Sequence, residues 1–451
     1  MAARDFAGSA CEDLVPDITA NFVAETNNSA QKSVQKEVLP NGLVILTEPM
    51  EHMHSVSVGI WLRGGSRREP AALNGISHFI EHMVFKGTRR RSAEDIAREV
   101  DSVGGMLDAF TAKEMVCFNT RVLEEHLPKA FDIVADMVLE PKFAPEDIER
   151  EKSVILEEIR MTQDNPEDLV HELFTQNFWT PHALGKPILG TPETVSALTR
   201  ETLETWFRRW YAPNHLVITA AGNLTHQQMV DLVAERFARL APSPNGDADT
   251  IPIPAAHITQ RTKHELEQVH LCIGVPALPM TDERRFVVSA LNNVLGGGMS
   301  SRLFQNIREK QGLAYAIFSE MNSYRDSGSL SVYAGTSLET AGQVVRSVLE
   351  EFRRLKDEPL PEEELRRAKD HLKGATLLAS EGTGQRMNSL ARYHLYFNRY
   401  FSPAELIALL EKVTPEDVQQ VAGEFFQPER IAASVVGNLD GFELTREQLT
   451  F

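Results

Sequence analysis

Apolar and polar positions set out the first elements of the chain. Lys36-Glu-Val-Leu-Pro-Asn-Gly-Leu-Val-Ile-Leu46 predicts two strands joined at the Asn41-Gly42 turn. Ser55 to Leu62 alternates toward a third strand, which ends at Gly64-Gly65. The stretch Asn74 to Thr88 predicts one helix, capped at its start by Asn74 and closed just past its end by Gly87. Ser92 to Val103 is amphipathic, with Ala93, Ile96, Ala97 and Val100 on one side. Gly104-Gly105 breaks it before strands through Leu107–Phe110 and through Val116–Phe118. Helical patterns follow from His126 to Leu139 and from Pro145 to about Met161.

One stretch breaks this regularity. Residues 241–254 are proline-rich, polar and aperiodic, and predict a linker between halves of similar length. The halves are related. Pro213-Asn-His-Leu-Val-Ile-Thr-Ala-Ala-Gly-Asn-Leu224 corresponds to Pro428-Glu-Arg-Ile-Ala-Ala-Ser-Val-Val-Gly-Asn-Leu439, an offset of 428 − 213 = 215, and Ile148–Lys152 corresponds to Leu365–Lys369, an offset of 365 − 148 = 217. The expected fold class is α+β, built as two homologous repeats, each a sheet with helices packed on it. The expected layout is a polar, disordered or processed tail over 1–33, a first repeat over 34–240, the linker, and a second repeat over 255–451.

Composition narrows the function classes. With 451 residues, 42% hydrophobic and 24% charged, the chain has ample core for two domains. A formal charge of −18 excludes a general nucleic-acid binder, and no apolar run reaches membrane-spanning length. Arg89-Arg90-Arg91, the one basic run, is expected to be a solvated loop. Three cysteines (Cys11, Cys117, Cys272) stand too far apart for a disulfide framework or a metal knuckle, which suits a reducing, cytoplasmic compartment. The acidic tail is unlike a mitochondrial presequence, so a bacterial cytoplasmic address is preferred to a mitochondrial matrix one.

The candidate chemistry lies on the Asn74–Thr88 helix. His78 and His82 are four residues apart and share a face, with Glu81 beside them. Two imidazoles and a carboxylate form a transition-metal site with an acid/base group at hand, and His-x-x-Glu-His is the inverted zinc-peptidase signature. A catalytic zinc site takes a third protein ligand. Glu158, 158 − 82 = 76 residues on, shares a helix face with Glu151 two turns earlier. The second repeat has neither acid: Glu151 maps to Ala368 and Glu158 to Ala375, and Ser289–Gly297, opposite the histidine helix, holds no histidine or glutamate. A single active site on a duplicated scaffold leaves this asymmetry.

Together with Gly65-Ser-Arg-Arg-Glu69, Ala109-Phe-Thr-Ala-Lys-Glu114, Glu149–Glu158, Leu295–Leu303 and Arg308–Tyr315, these motifs resemble the pitrilysin/insulysin family of inverted zinc metallopeptidases. The likeness is greatest to its half-length branch, which includes the mitochondrial processing peptidase β subunit and bacterial relatives, and it spans about Lys36 to Leu439. It implies that His78, His82 and Glu158 bind one Zn2+ per chain and that Glu81 is the general base that activates water. Glu151 is implied to orient a ligand histidine, while Arg308 and Tyr315 are implied to reach the site from the second repeat. It further implies that Gly296-Gly297-Gly298 assists substrate capture, and that the strand at Ala109 and Phe110 holds an extended peptide as an added strand. The implied activity is a zinc-dependent endopeptidase acting on peptides or unfolded segments. The alternative is a non-catalytic structural partner of a processing-peptidase-like complex. Full-length relatives have four repeats, so a dimer is expected, either of this chain with itself or with an inactive paralogue. No membrane or nucleic-acid partner is expected.

Overall fold

The computed structural model describes residues 34–244 and 250–451; the expected tail, and residues 245–249 of the expected linker, lie outside them. Two sheets carry the fold. The first comprises β1 (Gln35–Val38), β2 (Val44–Pro49), β3 (Ser55–Arg63), β4 (Met106–Thr111), β5 (Met115–Leu123) and β6 (Leu216–Gly222), in the order β1-β2-β6-β3-β5-β4. The second comprises β7 (Ile258–Thr262), β8 (Val269–Ala277), β9 (Ala314–Ser323), β10 (Gly328–Thr336) and β11 (Ala432–Gly437), in the order β7-β11-β8-β10-β9. Without β1 the two orders are identical, down to one parallel pair each, β2/β6 and β7/β11. The cross-strand rows Phe118–Ile60–Ile218 and Val332–Ile273–Ala433 occupy the same place in the two sheets. The mixed α and β architecture and the duplication are as the sequence implies.

The central strands are apolar on both faces: β6 and β10 are buried throughout, and β3 is buried except at its ends. Such strands need cover on both sides. One side is covered by helices of the same repeat. The other is covered by an exchange between repeats. Helix Thr383–Phe397 lies across β2, β3 and β6, where Met387, Leu390, Ala391 and Leu395 pack on Trp61, Leu46 and Val217. Reciprocally, helix Pro166–Phe178 lies across β8 and β11, where Leu169, Val170, Phe174 and Phe178 pack on Cys272, Tyr333, Ala432 and Val436. Each repeat therefore completes the core of the other. Polar ties reinforce the exchange: Arg386 of the second repeat donates to Glu48 (Nε–Oε2 2.9 Å), and the Thr383 and Ser57 hydroxyls are 2.9 Å apart.

Arg91 differs from its expected place in a solvated loop. Its side chain is only 10% exposed and bonds Asp132, Asp136 and Glu99, while Arg90 pairs with Asp132. Asp136 is fully buried, and the loop's guanidinium compensates it together with Thr88 and Arg236. The expected strands and helices of the first 161 residues are otherwise present. Ser92 caps helix Ala93–Asp101 through a reciprocal pair with Asp95.

Candidate metal centre

The histidine helix runs Ile76–Val84, shorter than expected at both ends. Ile76, Phe79, Ile80, Met83 and Val84 are fully buried, which anchors one face and leaves His78, Glu81 and His82 to the other. Asn74 is not its cap. Gly75 takes that position at φ +94°, where a Cβ would lie 2.7 Å from Leu189 O. The free N–H groups of Gly75 and Ser77 are instead met by the buried carboxylate of Glu69, at 2.7 and 2.8 Å, and Asn74 Nδ2 donates to the same carboxylate. A carboxylate from outside the helix thus does the work usually done by a capping side chain, and the helix dipole favours it. Gly87, at φ +113°, turns the chain two residues after Phe85.

Helix Pro145–Asp164 packs beside it and buries Ile148, Ile155 and Ile159 together with Glu151, whose side chain is 1% exposed. Glu158 comes from the same helix. Its Oε2 lies 3.7 Å from His78 Nε2 and 3.6 Å from His82 Nε2, and the two imidazole rings are 4.6 Å apart. These separations are too long for hydrogen bonds. The two oxygen–nitrogen separations are close to the ~3.3 Å between ligands of a tetrahedral zinc with bonds of about 2.0–2.1 Å, and all three ligand atoms lie within 4.8 Å of one another, so the donor set fits that ion. His78, His82 and Glu158 are the one such group of three among the described residues.

Protonation states agree with a ligand role. Burial, reinforced by neighbouring His82, lowers His78 to about 3, so its imidazole is neutral near pH 7. His82 Nδ1 lies 3.1 Å from Glu151 Oε2. A carboxylate only accepts, so Nδ1 is the donor of this pair, and Nε2 is the nitrogen that faces Glu158. Burial pushes the Glu81 carboxyl above its usual range, opposed by a 2.5 Å bond from Thr111 Oγ1 to its Oε2.

These groups open onto a cavity of about 1210 Å3 between the repeats. Its lining includes His78, Glu81, Glu158 and the edge strand β4 with Ala109 and Phe110 from the first repeat, and Phe318, Glu320 and Asn322 of β9 from the second. Glu167, Asp168, Glu172 and Glu320 make the lining acidic, offset in part by Lys113, Lys186 and Arg392.

The second-repeat candidates lie elsewhere. Arg308 stacks over Phe304 and Tyr315, at 4.6 and 5.6 Å, and Tyr315 is 79% exposed. Tyr315 is the second residue of β9 and Arg308 lies on the short helix before it, whereas the cavity is lined by later residues of the strand, so neither forms part of the wall. Gly296, Gly297 and Gly298 do not line it either. Gly296 has a packing reason to be glycine: a Cβ there would approach Ser319 N to 2.4 Å.

Sequence reasoning missed four groups here. Glu69 and Thr111 sit within quoted motifs but carry no spacing signal: Glu69 meets Gly75 and Ser77 at six and eight residues, which is no capping spacing, and the partner of Thr111, Glu81, is 30 residues away. Lys86, 2.8 Å from Glu151 Oε1, likewise had no visible partner. His171 lines the cavity with its ring against Phe318 and Tyr333 and its Nδ1 3.1 Å from Glu320.

Comparison with known proteins supplies a family. Residues 44–192 match the family described as Insulinase (Peptidase family M16), and residues 197–372 match the Peptidase M16 inactive domain. An uncharacterized zinc protease of Streptomyces coelicolor is 40% identical over 421 residues, covering 92% of each chain. The uncharacterized zinc protease YmxG of Bacillus subtilis is 38% identical, covering 87% of this chain and 96% of that one. A solved structure of a protease from Helicobacter pylori superimposes with a TM-score of 0.84 at 20% identity, covering 90% and 99% of the two chains, and shares the fold. The inactive-domain match runs from the end of the first repeat into the second, the repeat without the histidine helix, and the chain belongs to peptidase family M16, the family of these bacterial relatives named zinc proteases.

Proposed function

We propose that the chain is a zinc-dependent endopeptidase acting on peptides or unfolded segments in the cytoplasm, as a dimer. The observation that carries the reading is the convergence of His78 Nε2, His82 Nε2 and Glu158 Oε2 beside Glu81, at the wall of a cavity bordered by an open strand edge. Bound zinc supplies Lewis-acid chemistry, polarising a peptide carbonyl and acidifying water. The chain's own residues do the rest. β4 ends its sheet, so its outward N–H and C=O groups are available to an extended peptide, which suits broad sequence tolerance. Glu81 takes the proton of the attacking water and passes it to the leaving amine. Thr111 holds one of its oxygens and leaves the other to accept. The acidic lining draws basic segments toward the cleft.

The experiment is zinc content together with digestion of a mixed peptide pool by wild type and Glu81→Gln, read by mass spectrometry. One zinc per chain, with cleavage lost in the variant, is expected. Equal cleavage by the variant overturns the mechanism. Stoichiometric zinc without cleavage by the wild type alone moves the chain to a partner-subunit role. Sedimentation of the same samples tests the dimer.

A further inference from the structure

The proton relay leaves one charged side chain at the centre unused. Lys86 Nζ lies 2.8 Å from Glu151 Oε1, the oxygen that His82 does not engage, while Oε2 faces His82 Nδ1 at 3.1 Å. We propose that Lys86 is a positioning residue of the metal centre, fixing the Glu151 carboxylate so that it in turn fixes the imidazole of His82. The inference rests on reading His78, His82 and Glu158 as the zinc ligands.

The terminal torsion of a glutamate is broad and roughly two-fold, so a single hydrogen bond leaves the carboxylate free to turn. A second bond on the other oxygen removes that freedom. Lys86 is suited to make it because its own backbone is held: its N–H bonds Met83 O at 3.1 Å, and Gly87 O accepts from Lys142 N at 3.0 Å. Beyond Gly87 the loop is tied down by Arg90 and Arg91 on Asp132 and Asp136. Lys86 also balances the charge of a carboxylate whose side chain is 1% exposed, so that Glu151 does not offset the positive charge of the metal. The second repeat has Ala368 at the Glu151 position, and so has no carboxylate there for a cation to hold.

The rival is a plain structural tie between the histidine helix and helix Pro145–Asp164. Zinc affinity separates the two, measured by chelator competition on wild type, Lys86→Met, Lys86→Gln, Lys86→Arg, Glu151→Gln and the Lys86→Met/Glu151→Gln double variant. The melting temperature of each metal-free protein and the visible spectrum of each Co2+-loaded one accompany it. Lys86→Met and Lys86→Gln are expected to weaken zinc binding by about tenfold, the low end for outer partners of metal ligands, and to shift the cobalt spectrum. Lys86→Arg recovers most of the loss, and the double variant binds no more weakly than Glu151→Gln. Unchanged zinc affinity with a lowered metal-free melting temperature overturns the inference in favour of the tie. A further tenfold loss in the Glu151→Gln background overturns it too, because Lys86 then acts by another route. A wild type that takes up no zinc sinks the ligand reading itself, a result distinct from either.

Discussion

The two repeats share strand order, register and helix placement, and they differ in what those helices carry. In the first, helix Ile76–Val84 presents two histidines and a glutamate, and helix Pro145–Asp164 answers with Glu151 and Glu158. In the second, helix Arg285–Gly296 meets helix Glu362–Ser380 through an Asn293–His371 hydrogen bond of 2.9 Å. The frame stands without the acids, since Ala368 is buried like the Glu151 it matches. Burying a carboxylate costs free energy that an alanine does not. The first repeat bears that cost and offsets it with Lys86 and His82, whereas the second repeat folds without it.

Matched substitutions test that contrast most strongly. Glu81→Gln is expected to lower kcat by about 10²–10⁴, the range for a positioned proton-transfer group, with zinc retained. Glu158→Gln is expected to release zinc, whereas Ala375→Gln at the corresponding exposed position leaves zinc content and peptide cleavage unchanged. Loss of zinc in both variants would break the comparison.

How much of this could be read beforehand depended on separation along the chain. The duplication and the His78/Glu81/His82 face were legible because their signals are local or recur at one offset. The repeat comparison marks Glu158 as a candidate, since its partner is Ala375, but its role as a ligand comes from the family resemblance. Glu69 was not found as the cap: a carboxylate six and eight residues before the N–H groups it accepts from follows no capping spacing. The exchange of helices Pro166–Phe178 and Thr383–Phe397 was equally hidden. Their apolar faces announce burial, but nothing in a helical period says which repeat they cover.

That exchange provides the next test. Phe178 is fully buried where the first repeat's helix lies on the second sheet, and Leu395 is buried in the reciprocal seam. Phe178→Ala is expected to cost about 3–5 kcal/mol and Leu395→Ala about 2–5 kcal/mol. Because each helix completes the other repeat's core, urea denaturation should lose both repeats in one transition in either variant. Two separated transitions would show that the repeats fold independently. A smaller loss is expected from Ala368→Glu, about 1–3 kcal/mol for a buried polar group without a partner; no loss there would remove the cost on which the contrast between repeats depends.

The smallest effect is expected where the repeats meet through charge. Arg67, with its side chain 3% exposed, bonds Asp326 of the second repeat through both terminal nitrogens, at 2.9 and 2.5 Å, and Glu114 of its own at 2.7 Å. Glu114 in turn accepts from Arg325 N and Tyr396 Oη, both of the second repeat. Asp326→Asn keeps the shape and removes one charge, leaving Arg67 paired with Glu114, so a stability loss of about 1–2 kcal/mol is expected. Arg67 stands two residues before Glu69, which caps the histidine helix, yet that carboxylate is held by Gly75, Ser77 and Asn74 of the first repeat alone. Zinc affinity should therefore survive the substitution. If Asp326→Asn weakened zinc binding as well as folding, the metal centre would depend on the second repeat, and the division into a chemical half and a supporting half would have to be redrawn.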